Sequence, residues 1–149
     1  MNIKYRILNR ENSLFIDDIN KSKKEISSKL KNAKILVIGG AGTIGQATVK
    51  EIYKYEPNSI DVVDISENNL VELVRDIRSS INNSNINLRT FAIDCGSEIF
   101  ENFLDNEGIY DYIFNLSALK HVRSEKDPYT LLRMLEVNII NTVKIINYL

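Results

Sequence analysis

The sequence predicts an α/β fold, a doubly wound parallel sheet with helices on its faces. Three observations carry this. After about residue 34 the hydrophobic period switches repeatedly between strand-like runs and helical spacing, the pattern of βαβ units. Lys34–Gly39 is a near-continuous apolar run, as a strand buried on both faces requires. A glycine-rich segment, Gly39–Gly45, follows that run directly and opens an amphipathic stretch.

Lys34–Gly39 is read as the first strand. Ile44, Ala47, Thr48, Ile52 and Tyr55 then recur at helical spacing, with Gln46, Lys50, Glu51 and Lys54 opposite, until Pro57 and Asn58 stop the pattern. The first set is expected to lie on the sheet. Ser59–Ile65 makes a second strand, and Ser66 is placed to cap a helix whose inner face is Leu70, Leu73, Val74, Ile77 and Ile81, closed by Asn82–Asn87. Leu88–Asp94 alternates more, as an edge strand would, and Ser97 caps a short helix expected to bury Ile99, Phe100, Phe103 and Leu104. Tyr110–Leu116 is the fourth strand. A loop through Pro128 leads into one long helix with Leu131, Leu135, Ile139, Val143, Ile146 and Leu149 near one stripe. Right-handed crossovers then give the strand order 3-2-1-4.

Residues 1–33 stand outside this scheme as an N-terminal extension. Ile16, Ile19, Ile26 and Leu30 suggest one helix there, with Lys21, Lys23, Lys24, Lys29 and Lys31 as its solvated face.

Composition narrows the function classes. At 149 residues a core forms without metal or disulfide staples. Nineteen Lys and Arg against twenty Asp and Glu leave a formal charge of −1, which argues against a nucleic-acid partner. The apolar runs fall far short of the roughly 18 residues that a membrane span needs. Met1–Phe15 mixes Lys4, Arg6, Arg10 and Glu11 among its apolar residues, unlike a secretion signal, and Cys95 is the single cysteine. A reduced, cytoplasmic setting is expected.

Gly39-Gly40-Ala41-Gly42-Thr43-Ile44-Gly45 satisfies G-x-G-x-x-G from Gly40 and G-x-x-G-x-x-G from Gly39. Between a buried strand and a helix start, its backbone N–H groups and the helix dipole suit a pyrophosphate. Asp64 ends the second strand about twenty residues past Gly45, where a carboxylate accepts hydrogen bonds from a ribose. That carboxylate repels a 2′-phosphate, and Ile65, Ser66, Glu67, Asn68 and Asn69 offer no cation for one, so NAD is preferred to NADP. Asp94 and Cys95, at the end of the third strand, are expected near the adenine. Cys95 has no activating partner in the sequence, and His121 has no companion ligand that would make a metal site.

Phe114-Asn115-Leu116-Ser117-Ala118-Leu119-Lys120-His121-Val122, taken with Gly39–Gly45, Asp64, Asp94 and Asn138-Ile139-Ile140-Asn141-Thr142, resembles the extended short-chain dehydrogenase/reductase superfamily. Within it the chain is most similar to the polysaccharide-biosynthesis nucleotide-sugar 4,6-dehydratases acting on UDP-N-acetylglucosamine, and Leu8-Asn9-Arg10-Glu11 adds to the likeness. The resemblance implies an incomplete NAD-binding Rossmann domain over residues 34–149. It implies that Leu116, Ser117 and Ala118 line the cofactor's ribose side, and that Lys120 reaches the nicotinamide end or the sugar nucleotide, with His121 beside it on the substrate side. The candidate cofactor-binding residues are therefore Gly39, Gly42, Thr43, Ile44, Gly45, Asp64, Ser66, Asp94, Cys95, Leu116, Ser117, Ala118 and Lys120.

Two departures border the expected sugar site. Arg123-Ser124-Glu125-Lys126-Asp127-Pro128 follows where the family has an early proline, and the helix from Pro128 to Asn138 is nearly a turn longer than the family's. The family's catalytic Ser/Thr, Asp-Lys pair and Tyr-x-x-x-Lys lie on a following strand and helix that these 149 residues do not include. Tyr53, Tyr110 and Tyr148 have no Lys four residues on. The chain is thus expected to be the cofactor-binding front half of a lyase that oxidises C4 of the sugar, eliminates water across C5 and C6 and returns hydride to C6, and to be inactive alone. A related 4-epimerase or 4-dehydrogenase, and a non-catalytic NAD-binding module, stay open as other readings. A sheet that ends at strand four leaves apolar surface uncovered, so association with a second copy or with the rest of the chain is expected.

Overall fold

The computed structural model describes residues 15–80, 86–120 and 127–148. Ile81, Leu149 and the Leu8–Glu11 string lie outside them. The order of elements is α1 (Ile16–Leu30), β1 (Lys34–Ile38), α2 (Thr43–Tyr53), β2 (Ser59–Asp64), α3 (Glu67–Ser80), β3 (Asn87–Ala92), α4 (Glu98–Glu107), β4 (Tyr112–Asn115), α5 (Pro128–Leu135) and α6 (Asn141–Asn147). The four strands form a parallel sheet in the order β3-β2-β1-β4, as the sequence predicts, with Ile35 opposite both Ile60 and Tyr112.

Alternation along β1 and β2 divides the core in two. Ile35, Val37, Ile60 and Val62 pack against Val49, Ile52 and Tyr53 of α2 and Leu70, Leu73 and Ile77 of α3. Leu36, Ile38 and Val63 face Phe100 and Phe103 of α4 and Ile145 of α6 on the other side. Because β1 and β2 are covered on both faces, β1 reads as a near-continuous apolar run, and β2 does so apart from Asp61. Caps set the helix starts: Asn69 N donates to Ser66 Oγ (3.4 Å), Phe100 N to Ser97 Oγ (3.3 Å) and Thr130 N to Asp127 Oδ2 (2.8 Å), with Pro128 in the first turn of α5.

Three helix faces differ from the expectation. Helix α2 buries Gly45, Val49, Ile52 and Tyr53; of the expected stripe Ile44, Ala47, Thr48, Ile52 and Tyr55 only Ile52 is buried, and Ile44 is 62% exposed. The cause is contact at Gly45, where a Cβ would lie 2.2 Å from the Gly39 carbonyl oxygen. That approach rotates the helix and leaves Ile44, Ala47, Thr48 and Tyr55 along a groove facing Ile19, Ile26 and Leu30 of α1. In α4 Phe100 and Phe103 are buried, whereas Ile99 is 66% exposed, one residue off that face. The expected long C-terminal helix is interrupted by a π-helical turn, Glu136–Ile140. Leu131, Leu135, Ile139, Val143 and Ile146 face outward, and Asn141 and Ile145 are the buried positions of α6.

At the end of the sheet away from the glycine loop lies a buried ionic network. The Asp61 carboxylate, fully buried in β2, accepts from Arg89 Nε (2.8 Å) and Nη2 (2.6 Å) on β3 and from the Tyr110 hydroxyl (2.7 Å). Arg89 Nη2 also donates to Glu107 at the end of α4 (2.5 Å), and Lys34 Nζ lies over the Tyr110 ring (4.5 Å) and donates to the Glu107 carbonyl. Burial, and then the Asp61 carboxylate it donates to, push the Tyr110 hydroxyl above its usual range. This bidentate pairing joins β2, β3 and α4, and removing one partner strands a buried charge. Arg89→Met is expected to lower unfolding stability by about 3 kcal/mol, the low end for a broken buried pair because the Arg89 side chain is 35% exposed. Urea denaturation should also show that adding Asp61→Val to Arg89→Met recovers part of that loss.

Candidate nucleotide site

The carboxyl ends of the four strands open on one cavity of about 400 Å³, within the size range of ligand pockets. Its wall includes Gly39 and Gly42 from the β1–α2 loop, Asp64 at the end of β2 and Ile65 beyond it, Ile93, Asp94 and Cys95 after β3, Leu116, Ser117 and Ala118 after β4, and Arg133 and Val137 from the C-terminal helical segment. Eight of the sequence-predicted site residues therefore meet in one place.

The loop geometry explains which glycines the chain itself needs. Gly39 has φ +72°, and a Cβ there would lie 2.6 Å from the Ser117 nitrogen, so the β1 and β4 ends approach each other only without a side chain. Gly45 is required by the contact with Gly39 already described. Gly42 is different. It is exposed at the cap of α2, no side chain caps that helix, and a Cβ on it would meet protein no closer than 3.6 Å. Protein packing does not demand glycine there, whereas an anion approaching the first-turn N–H groups of α2 would. Thr43 and Ile44 begin that helix but border the α1–α2 groove instead of this cavity, so any contact they make here is through their backbone N–H groups.

Asp64 is held at both oxygens. Oδ2 accepts from Ala41 N (3.0 Å) and Oδ1 from Ser66 N (3.0 Å), so the carboxylate ties the glycine loop to the turn after β2. Each oxygen keeps a further lone pair for a hydroxyl. Ser66 contributes to the site through that N–H and by capping α3.

Asp94 Oδ1 accepts from Gly96 N (2.9 Å) and Oδ2 from Arg133 Nη2 (2.8 Å). The Gly96 N–H and then the Arg133 guanidinium hold the Asp94 carboxyl below the usual carboxylate range, against the opposing effect of burial. Cys95 Sγ lies 3.8 Å from Ser117 Oγ, and burial pushes its thiol up. A protonated thiol is a weak nucleophile, so Cys95 acts as wall, not reagent.

The loop after β4 is held by the side chains of Asn115, Ser117, Asn138 and Thr142. Ser117 N (3.2 Å) and Oγ (2.7 Å) donate to Asn115 Oδ1, while Asn115 Nδ2 donates to Thr142 Oγ1 (3.0 Å). Asn138, within the π turn, makes a two-point bond to Leu119: it accepts from the Leu119 nitrogen and donates to its carbonyl, both at 2.9 Å. Lys120 follows as an exposed residue that does not border the cavity, and His121 lies outside the described residues. Ile38, Val63, Ile65, Ile93, Leu119, Arg133 and Val137 line the cavity without having been expected from the sequence. Ile65 and Ile93 are legible as neighbours of Asp64 and Asp94; Arg133 and Val137 carry no local signal, because only helix packing brings them here. A larger apolar groove, about 790 Å³, lies between α1 and α2 over Tyr112 and Phe114, without a comparable set of converging polar groups. No helix among the described residues is long and apolar enough to cross a membrane.

Comparisons with known proteins agree with this architecture. The chain is 33% identical over 123 residues to the uncharacterized membrane protein MJ1061 of Methanocaldococcus jannaschii, a match covering 82% of this chain and 34% of that protein. Among solved structures it is similar to Pen from Bacillus thuringiensis (27% identity, TM-score 0.67, 80% of this chain and 34% of that one). It is also similar to the enzyme WbmF of Bordetella bronchiseptica, crystallised with NAD+ and UDP (26% identity, TM-score 0.60, 81% of this chain and 33% of that one). The chain spans about a third of the length of these relatives. The profile of the polysaccharide biosynthesis protein family matches residues 35–148, from the first strand to the last helix, and to that family the chain belongs.

Proposed function

We propose that residues 34–149 are the NAD-binding part of a nucleotide-sugar 4,6-dehydratase that acts on UDP-N-acetylglucosamine in the cytoplasm, supplying polysaccharide or glycan precursors. The observation that carries the cofactor is the pairing of an exposed Gly42 at an uncapped helix start with an Asp64 carboxylate pinned beside it. Family membership and the NAD+ and UDP bound in WbmF support the reading.

In this reading the residues divide the dinucleotide among them. Gly42 and the first-turn N–H groups of Thr43, Ile44 and Gly45 hold the pyrophosphate, helped by the positive end of the α2 dipole. Asp64 accepts from the adenosine ribose hydroxyls, and Ile65 and Ile93 flank the base. Leu116, Ser117 and Ala118 line the second ribose, with Ser117 fixed by Asn115. Lys120 and His121 serve the sugar nucleotide. When bound, NAD accepts and returns a hydride; the protein orients it and excludes water. The base that such an oxidation requires belongs to the Tyr-x-x-x-Lys segment, so this chain by itself holds cofactor without turning over sugar.

Three measurements test the reading. Calorimetric titration should show NAD binding tighter than NADP, and Asp64→Ala should weaken NAD about tenfold, the scale of hydrogen bonds to a charged acceptor, while weakening NADP less; no affinity for either dinucleotide in the folded chain would overturn it. The purified 149 residues should show no dehydration of UDP-N-acetylglucosamine, and measurable product would contradict the assignment of the base. The outward faces of α5, the π turn and α6, with Leu132, Leu135, Ile139, Ile140, Val143 and Ile146 exposed, favour self-association. Size-exclusion chromatography should show an apparent mass that rises with concentration, and a monomer at all concentrations would count against association.

A further inference from the structure

The least explained member of the cavity wall is Arg133. It stands on α5 and crosses to the end of β3. Its guanidinium is shared: Nη1 donates to Glu136 Oε2 (2.8 Å), at the start of the π turn, and Nη2 to Asp94 Oδ2 (2.8 Å). The other Asp94 oxygen takes the Gly96 N–H. One donor to each oxygen therefore fixes the carboxylate's rotation, yet the Asp94 side chain stays 39% exposed on the cavity wall, with lone pairs available.

Position and chemistry together limit what that carboxylate recognises. The glycine loop lies at the β1 end and Asp64 at β2, so Asp94, after β3, is the next polar group outward along the adenosine half. An ionised carboxylate only accepts hydrogen bonds. Facing the edge of a base, it favours an exocyclic amine and repels a carbonyl oxygen at the same place. An acceptor left free to rotate, or one able to take a proton, discriminates less.

We propose that Arg133 is a positioning residue for base selection: by pairing with Asp94 it fixes that carboxylate as the acceptor for the 6-amino group of adenine in the bound dinucleotide. This rests on the dinucleotide reading above. Arg133 keeps Asp94 ionised and aimed, and Glu136 keeps Arg133 from swinging into the base site. Lysine is a poor substitute, because a single ammonium does not span Asp94 and Glu136 with a planar fork.

The test compares NAD with nicotinamide hypoxanthine dinucleotide, which carries a carbonyl where adenine has its amine. Affinities are measured by calorimetry on the native chain, Arg133→Met, Arg133→Lys and Asp94→Asn. The native chain is expected to prefer NAD by about tenfold or more, the scale of a hydrogen bond to a charged group. Asp94→Asn should collapse that preference, because an amide rotates to offer a donor. Arg133→Met should reduce it at least about threefold, with Arg133→Lys between it and the native chain. If Arg133 merely braces the fold or stacks on the base, both affinities fall together and the ratio stays at its native value, which overturns the proposal. Equal binding of the two dinucleotides by the native chain overturns it as well. Failure of the native chain to bind either one defeats the dinucleotide reading itself, a result distinct from an unchanged ratio. Arg133 is partly exposed, and thermal melts without ligand confirm that each variant is folded before its ratio is read.

Discussion

Everything at the carboxyl end of this sheet is arranged around the crowding at Gly39. Its backbone turns with φ +72° against the Ser117 nitrogen, and its carbonyl oxygen leaves no room for a side chain on Gly45. These contacts bring the β4 loop beside the β1 loop and seat the start of α2 over both. They also fix the rotation of α2, and hence which of its residues enter the core. The cavity follows, since its floor is the space left when loops from four strands converge on one glycine turn.

Two carboxylates on β2 show how place decides role. Asp61 is enclosed and satisfied three times over by Arg89 and the Tyr110 hydroxyl, so its charge is spent within the fold. Asp64, three positions along the strand and at its end, is held only by backbone N–H groups of two loops and keeps acceptor capacity facing the cavity. The first joins strands to a helix; the second is oriented for a partner from outside the chain.

Apolar surface is distributed unevenly. The sheet is well covered over β1 and β2, while the groove beside Tyr112 and Phe114 and the outer faces of α5 and α6 are open. The chain spans about a third of its relatives' length, and its fourth strand lies at the edge of the sheet.

Strand order, the glycine turn, the acid after β2 and the caps at Ser66 and Ser97 were legible in the residues alone. Each depends on neighbours close in sequence: alternation along a strand, backbone freedom at a turn, a side-chain oxygen three residues before an N–H. Tertiary structure decided the rest. Helical periodicity defines a stripe but not where it points, so the rotation of α2, the exposure of Ile99 and the outward face of α5 and α6 depend on the tightest contact each helix makes. Partners far apart in sequence were equally hidden: Arg89 with Asp61, and Arg133 with Asp94, are joined by strand pairing and helix packing. A charge gives no sign in sequence of which distant charge will meet it, because that meeting is a product of the fold.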